Sequence, residues 1–297
     1  MRKHPVLLGL LLLVVVGVVM LILIYGVALL RGTDEPFSRS DRVGVVEITG
    51  VISSSRDAIE LMDRYERDSH VRAVVIRIDS PGGGVVPAQE IYDRVGRLKK
   101  KKKVVISMGS VAASGGYYIA CAGDRVIANP GTITGSIGVI IQFSQVRRLL
   151  DKIGVEPTVI KGGKYKDVGS PVREMTADER ALIQGVVDDI YDQFLDAVAT
   201  GRAISKDEVR SLAEGKIYTG KQALAMGLVD ELGNEKHAIR VAARLAGIEG
   251  KPHVIYPERK RRGLLRYLTR EILSGVSDEL RGSGTGIDYL YRGDGAS

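Results

Sequence analysis

The sequence predicts an α/β fold with a largely parallel sheet, and three features carry that prediction. Short runs rich in Val and Ile alternate with stretches of helical, amphipathic periodicity. Repeated strand, turn and helix units of this kind build parallel sheets covered by helices. Two Gly-rich turns, at 79–84 and 109–116, directly follow apolar runs, which is where open α/β sheets place their sites.

The chain begins with a segment of different character. Residues 6–30 carry no charge and are almost all Leu, Val and Ile. At the helical rise they extend about 37 Å, enough to cross a hydrocarbon core of about 30 Å with some tilt. A cleaved signal peptide has a shorter apolar region and a small-x-small site, and Gly26-Val27-Ala28 followed by two leucines is a poor one. Residues 1–31 are therefore expected to be a cytoplasmic N-terminus and a transmembrane helix. Arg2 and Lys3 precede the span, while Arg31, Asp34, Glu35, Arg39 and Asp41 mix their signs after it. That asymmetry predicts a single-pass protein of the cell membrane with its main domain outside the cytoplasm.

After a polar linker, 32–42, strands are expected at 43–48, 73–78, 104–108, 125–128, 137–141 and 155–160. Helices are expected at 57–67, 87–98 and 117–122. Thr176 and Glu179 form a candidate capping box, opening a helix whose apolar stripe runs through Leu182, Val186, Ile190 and Phe194. Two further helices follow at 206–213 and 221–226. Residues 43–257 then make one α/β domain of ordinary size. In the tail, 258–297, Leu264, Leu265, Leu268 and Ile272 lie opposite Arg262, Arg266 and Arg270 on a helix, a layout suited to an anionic surface or to oligomer packing. Residues 282–286 and the last residues read as disordered.

Composition excludes several functions. The formal charge is +7, but Arg2, Lys3 and the basic tail account for nearly all of it, leaving a domain close to neutral. No nucleic-acid partner is expected from such a surface. The lysine run 99–103 lacks interleaved aromatics and reads as a solvated helix end. Cys121 stands alone in apolar company and reads as a small buried side chain. No metal-ligand spacing is present, and no cofactor is expected.

The chemistry concentrates in two segments. Gly109-Ser110-Val111-Ala112-Ala113-Ser114-Gly115-Gly116 brings a hydroxyl to the end of an apolar strand where a helix opens. The helix dipole favours negative charge there, and free amides can face a developing oxyanion. Lys164-Tyr165-Lys166-Asp167 supplies amines that can serve as a base. The four histidines, His4, His70, His237 and His253, stand beside no Gly-rich turn, which counts against a Ser-His-Asp triad without disposing of it. By residue type alone, Ser110 rivals Ser114, and Lys161 and Lys164 rival Lys166. Tyr117 and Tyr118 suit either a substrate groove or packing.

Asp79-Ser80-Pro81-Gly82-Gly83, Ala113-Ser114-Gly115-Gly116-Tyr117-Tyr118, Thr134-Gly135-Ser136-Ile137-Gly138-Val139 and Tyr165-Lys166-Asp167 with Ser170-Pro171-x-Arg173 occur in the order seen in the signal peptide peptidase A, or protease IV, family, which the chain resembles over about 43–247. Gly227-Leu228-Val229-Asp230-Glu231-Leu232-Gly233 is similar to its closing signature. The resemblance implies the Clp protease and crotonase fold, a spiral of strand-strand-helix units. It also implies a serine endopeptidase with Ser114 as nucleophile and Lys166 as general base, supported by Ser136. Gly83 and Gly115 would form the oxyanion hole, with the choice among Gly82, Gly83 and Gly84 left open. A homo-oligomeric ring sharing the dyad between subunits is implied too, as are remnant signal peptides and other apolar, unfolded peptides as substrates, cut without ATP.

Such a lysine works only if burial and the absence of a carboxylate partner lower its proton affinity. Asp167 stands next to it in sequence, and an extended backbone would send the two side chains to opposite faces. Three other readings remain: a stomatin-directed membrane protease, an acyl-CoA enzyme of crotonase type, and a silent scaffold with Ser114 as helix cap and Lys166 as ion-pair partner.

Overall fold

The computed structural model describes residues 5–30, 41–257 and 288–290. The chain divides into two compact units, Met1–Ser40 and Asp41–Ser297. The first holds helix α1 (Pro5–Leu30), which contains no charged residue. Its described side chains run continuously over 12–23 only, fewer than the roughly 20 that a span requires. Among the described residues no helix is long and apolar enough to cross a membrane. The expected tail helix at 258–272 lies outside the described residues.

The second unit runs β1 (Arg42–Thr49), α2 (Arg56–Arg67), β2 (Val71–Ser80), β3 (Gly82–Gly84), α3 (Val85–Lys99), β4 (Lys103–Ala113), α4 (Gly115–Ala120), β5 (Arg125–Ala128) and β6 (Ile133–Gly135). It continues with α5 (Arg147–Lys152), α6 (Ala177–Arg202), α7 (Lys206–Leu212), β7 (Ile217–Thr219), α8 (Gly220–Ala225), β8 (Glu231–Leu232), α9 (Glu235–Leu245), β9 (His253–Ile255) and β10 (Asp288–Leu290). The main sheet has the order β7-β6-β4-β2-β1-β9, with β5 joining β4 to β8. Every pairing in it is parallel except β6 with β7. The predicted α/β class with a parallel-dominated sheet is the one observed.

Both faces of this sheet are dry, which is why its strands read as unbroken apolar runs. Val43, Val45, Ala73, Val75, Val105 and Ile127 face the apolar side of α9. Their neighbours of opposite parity, such as Val46, Val74, Ile76, Ile106 and Val126, pack with α2, α3 and α4 in the larger core. Strand β4 does two jobs along its length. Val105–Ser107 pair with β5, and Val111–Ala113 pair with β6, so the sheet divides just before Ser114.

Two expected strands are absent. At 137–141 the strand lies earlier, as β6, because Gly135 and Ser136 both take positive φ (80° and 51°) and end it. Residues 155–160 form no regular element. Val155, Val159 and Ile160 are exposed, Ile160 to 96%, and an apolar run without a neighbouring strand has no ladder to join. The stripe on α6 is also only half buried. Phe194 is enclosed, whereas Leu182 is 45% exposed. Of the lysine run, Lys102 is not solvated as expected: its ammonium donates to the carbonyls of Tyr65, Asp68 and Val71 and closes the turn between α2 and β2. Cys121 is buried, and burial pushes its thiol up to about 12.

Candidate active site

Ser114 sits where β4 meets α4, 1% exposed, with φ 53° and ψ −117°. For a residue with a Cβ this is a strained backbone, costing on the order of 1–3 kcal/mol. Neighbouring structure enforces it. The Ser114 N–H donates to Gly135 O at 2.8 Å, and its carbonyl accepts from Tyr118 N–H at 2.8 Å. The helix behind it is pinned by Tyr117, whose buried hydroxyl donates to Leu228 O at 2.9 Å. Tyr118 packs its ring against Tyr92 and Phe194. Both tyrosines are thus packing residues and not groove lining.

The Ser114 hydroxyl does not cap α4, so the serine is not at this position for helix capping. Register places a second hydroxyl beside it. Ala113 pairs with Gly135 across β4 and β6, bringing Ser114 next to Ser136. Ser136 is likewise buried with positive φ, and its N–H donates to Lys216 O at 2.7 Å. Among the described residues neither hydroxyl has a side-chain hydrogen-bond partner. Ser110, by contrast, is exposed part-way along β4.

The glycine turn resolves into a short strand with a division of labour. Gly82 N–H donates to Ser80 Oγ at 3.1 Å, and Gly84 N–H donates to Ile52 O at 2.9 Å. Gly82 O accepts from Ile52 N–H at 2.8 Å. Backbone groups alternate sides along a strand, so the Gly83 N–H faces away from Ile52. Of the three glycine amides it is the one left for a ligand. A Cβ on Gly83 would lie 2.4 Å from Ile52 O, so no other residue fits this approach. Gly115 N–H opens α4 and has no intrahelical acceptor.

The lysine segment folds differently from expectation. Residues 164–169 form turns, not an extended strand. Asp167 is nevertheless drawn away from Lys166, because Arg173 Nε (2.7 Å) and Lys161 Nζ both donate to its carboxylate. Arg173 also grips Glu179 through NH1 (2.8 Å) and NH2 (2.5 Å). Glu179, 3% exposed, completes the capping box of α6 with Thr176. One guanidinium thereby ties the lysine turn to the start of α6. Arg173 holds the Asp167 carboxyl well below the usual carboxylate range and, with the Thr176 amide, holds Glu179 down to about 2.

Lys161 is spent on Asp167, and Lys164 donates to Asp178 at 2.5 Å, which raises its proton affinity. Lys166 is exposed and pairs with no described residue. The rival bases are therefore neutralised by carboxylates, and the free amine is the one the motif singles out. Within one chain no hydrogen bond joins Lys166 to Ser114 or to Ser136. His237 Nε2 lies 2.8 Å from Glu231, the start of a triad in type, but it reaches no serine. Among the described residues no cluster could hold a metal ion.

Depressed carboxylates stabilise the fold above their unfolded pKa values and cease to do so as pH falls through the folded ones. The turn at 164–170 should therefore loosen between about pH 4.5 and pH 2, the unfolded and folded limits for Glu179. Arg173→Ala should loosen it at neutral pH. Faster deuterium exchange at the Val168 and Ser170 amides, which donate to Tyr165 O and Asp167 O, is the expected reading. Unchanged exchange in both experiments would refute the role given to Arg173. The Asp79-to-Gly84 and Tyr165-to-Arg173 motifs contained this network, but only the repeated spacing of six from Asp167 to Arg173 to Glu179 hinted at it.

A buried, strained serine at a helix start, beside a glycine strand with a free amide, on a parallel α/β sheet, defines a protein of the Clp protease class. Residues 45–133 match the Clp protease family accordingly. Residues 96–249, more than half of the chain, match Peptidase family S49. The chain belongs to that family, as its motifs anticipated, and membership makes it a protease. It is 46% identical over 217 residues to the Synechocystis sp. protein named "Putative protease slr0021", covering 72% of this chain and 78% of the relative. It is 32% identical over 251 residues to "Serine protease SPPA, chloroplastic" of Arabidopsis thaliana, with 84% of this chain and 36% of the relative covered. "Protease 4" of Haemophilus influenzae is 33% identical over 223 residues, covering 71% and 36%.

Proposed function

We propose that this protein is a membrane-anchored serine endopeptidase in which Ser114 attacks a peptide carbonyl and Lys166 of a neighbouring copy is the general base. The observation that carries the reading is the strained Ser114, whose hydroxyl caps nothing and pairs with nothing. Neutral Lys166 accepts the hydroxyl proton as Oγ bonds to the carbonyl carbon, and Ser136 holds the amine in place. Gly83 and Gly115 N–H groups receive the oxyanion. The amine leaves with that proton, and water then opens the acyl-enzyme.

Sharing of the dyad between copies is supported by what a single chain leaves open. Lys166 is exposed and unpaired, and Leu149, Ile153, Val159, Ile160, Leu182 and Val186 are exposed near it in sequence or on α6. Covering that surface in a homo-oligomeric ring would strip water from the amine, the condition under which a lysine serves as base. A spiral arrangement of the strand and helix units, as in crotonases, belongs to the same proposal.

Helix α1 is proposed as the anchor on the strength of its 26 uncharged residues. With the N-terminus in the cytoplasm, the protease domain would work outside it on remnant signal peptides and other apolar, extended chains. Gly83 suits such substrates because a free strand edge recognises backbone before side chains. Labelling the purified full chain with a fluorophosphonate, followed by peptide mapping, tests the class. Modification at Ser114 that vanishes in Lys166→Ala is the expected result; modification elsewhere, or none, would overturn it.

A further inference from the structure

Strand β10 pairs antiparallel with β3, Asp288 opposite Gly84, Tyr289 opposite Gly83 and Leu290 opposite Gly82. The other edge of β3 is taken by Ile52, which receives the Gly84 N–H and donates to Gly82 O. Alternation along the strand therefore turns the Gly83 N–H and C=O towards Tyr289. β10 also lies against α4, the helix that Ser114 opens. The chain's own C-terminal segment thus occupies the edge whose free amide the catalytic reading assigns to a substrate.

We propose that the segment around Tyr289 is a resident peptide, held in the substrate groove as an antiparallel strand and competing with substrates for Gly83. This rests on the reading of Gly83 and Ser114 given above. The segment makes its pairing through backbone, the part of a peptide common to every substrate, so the groove accepts it for the same reason. Three paired residues bind weakly by themselves. Tethering compensates, because an attached ligand competes at a high effective concentration without high affinity. The consequence is selective. A short or weakly bound peptide is excluded, while a long apolar one that engages more of the groove displaces the tail.

Tyr289→Pro in the full chain removes the N–H at the hydrogen-bonded pair and leaves every proposed catalytic group in place. Two readouts are needed. The first is deuterium exchange of the 82–84 backbone, measured in a Ser114→Ala background so that it does not depend on turnover. The second is steady-state hydrolysis of a short peptide. Exchange should accelerate, and KM should fall by about 3–10-fold at unchanged kcat. A synthetic peptide of residues 284–294, added to the Tyr289→Pro chain, should restore protection and raise KM again. An active enzyme with unchanged exchange and KM would overturn the proposal, as would faster exchange with KM unmoved. Accelerated exchange in a chain that hydrolyses nothing would instead uphold docking of the tail and refute the peptidase reading.

Discussion

Replacing Ser114 by glycine should abolish peptide hydrolysis and at the same time make the protein more stable than the alanine variant. The activity loss is expected to reach about 10⁴-fold or more, since removal of a nucleophile leaves only binding and oxyanion contributions. The stability difference comes from the backbone. At φ 53° and ψ −117° a side chain is strained, and glycine is not. Relief of on the order of 1–3 kcal/mol exceeds the roughly 0.5–1 kcal/mol by which glycine's unfolded freedom opposes it. Ser114→Gly should therefore exceed Ser114→Ala by about 1 kcal/mol in denaturant unfolding. A serine whose only task was structural would give the opposite pattern, with activity kept and stability lost.

The sequence made the centre of the fold legible because there local and tertiary demands agree. β1, β2 and β5 are buried on both faces, so composition alone marks them as strands. Where partners decide the outcome, the residues mislead. The triglycine 82–84 reads as a turn by propensity, yet it is a strand because Ile52 and β10 supply its ladder. The run 155–160 reads as a strand, yet its chain offers it no neighbour. Residues 288–290, expected to be disordered, pair with β3 for the same reason in reverse.

The site shows the same division. Ser114, Ser136 and the glycines are each recognisable from local motifs, and β4 and β6 bring them side by side. The choice of Gly83 over its neighbours needed the Ile52 hydrogen bonds, which join residues about thirty positions apart. Asp167 was expected to point away from Lys166 through strand alternation. It does so through Arg173 and Lys161 instead, a long-side-chain solution that spacing does not reveal.

Lys166→Ala should reduce kcat as severely as loss of the serine, because the two act as a unit. Lys166→Arg should not rescue it. A guanidinium keeps its charge throughout the working pH range and cannot accept the hydroxyl proton. Both variants should retain the oligomer and the unfolding midpoint of the parent, since Lys166 is exposed and unpaired within its own chain. Lys161→Ala, which removes a partner of Asp167, should have a far smaller effect on turnover. Equal losses at the two lysines would mean that the turn matters for its shape and not for its amine.

The most direct test of the shared dyad is to co-express Ser114→Ala and Lys166→Ala subunits, each inactive by itself, and assay the purified mixed oligomers. If serine and base come from neighbouring copies, about one quarter of the sites in a random equal mixture pair an intact serine with an intact lysine. Hydrolysis near a quarter of the parental rate is the predicted result. Mixed oligomers that assemble fully and cleave nothing would contradict it.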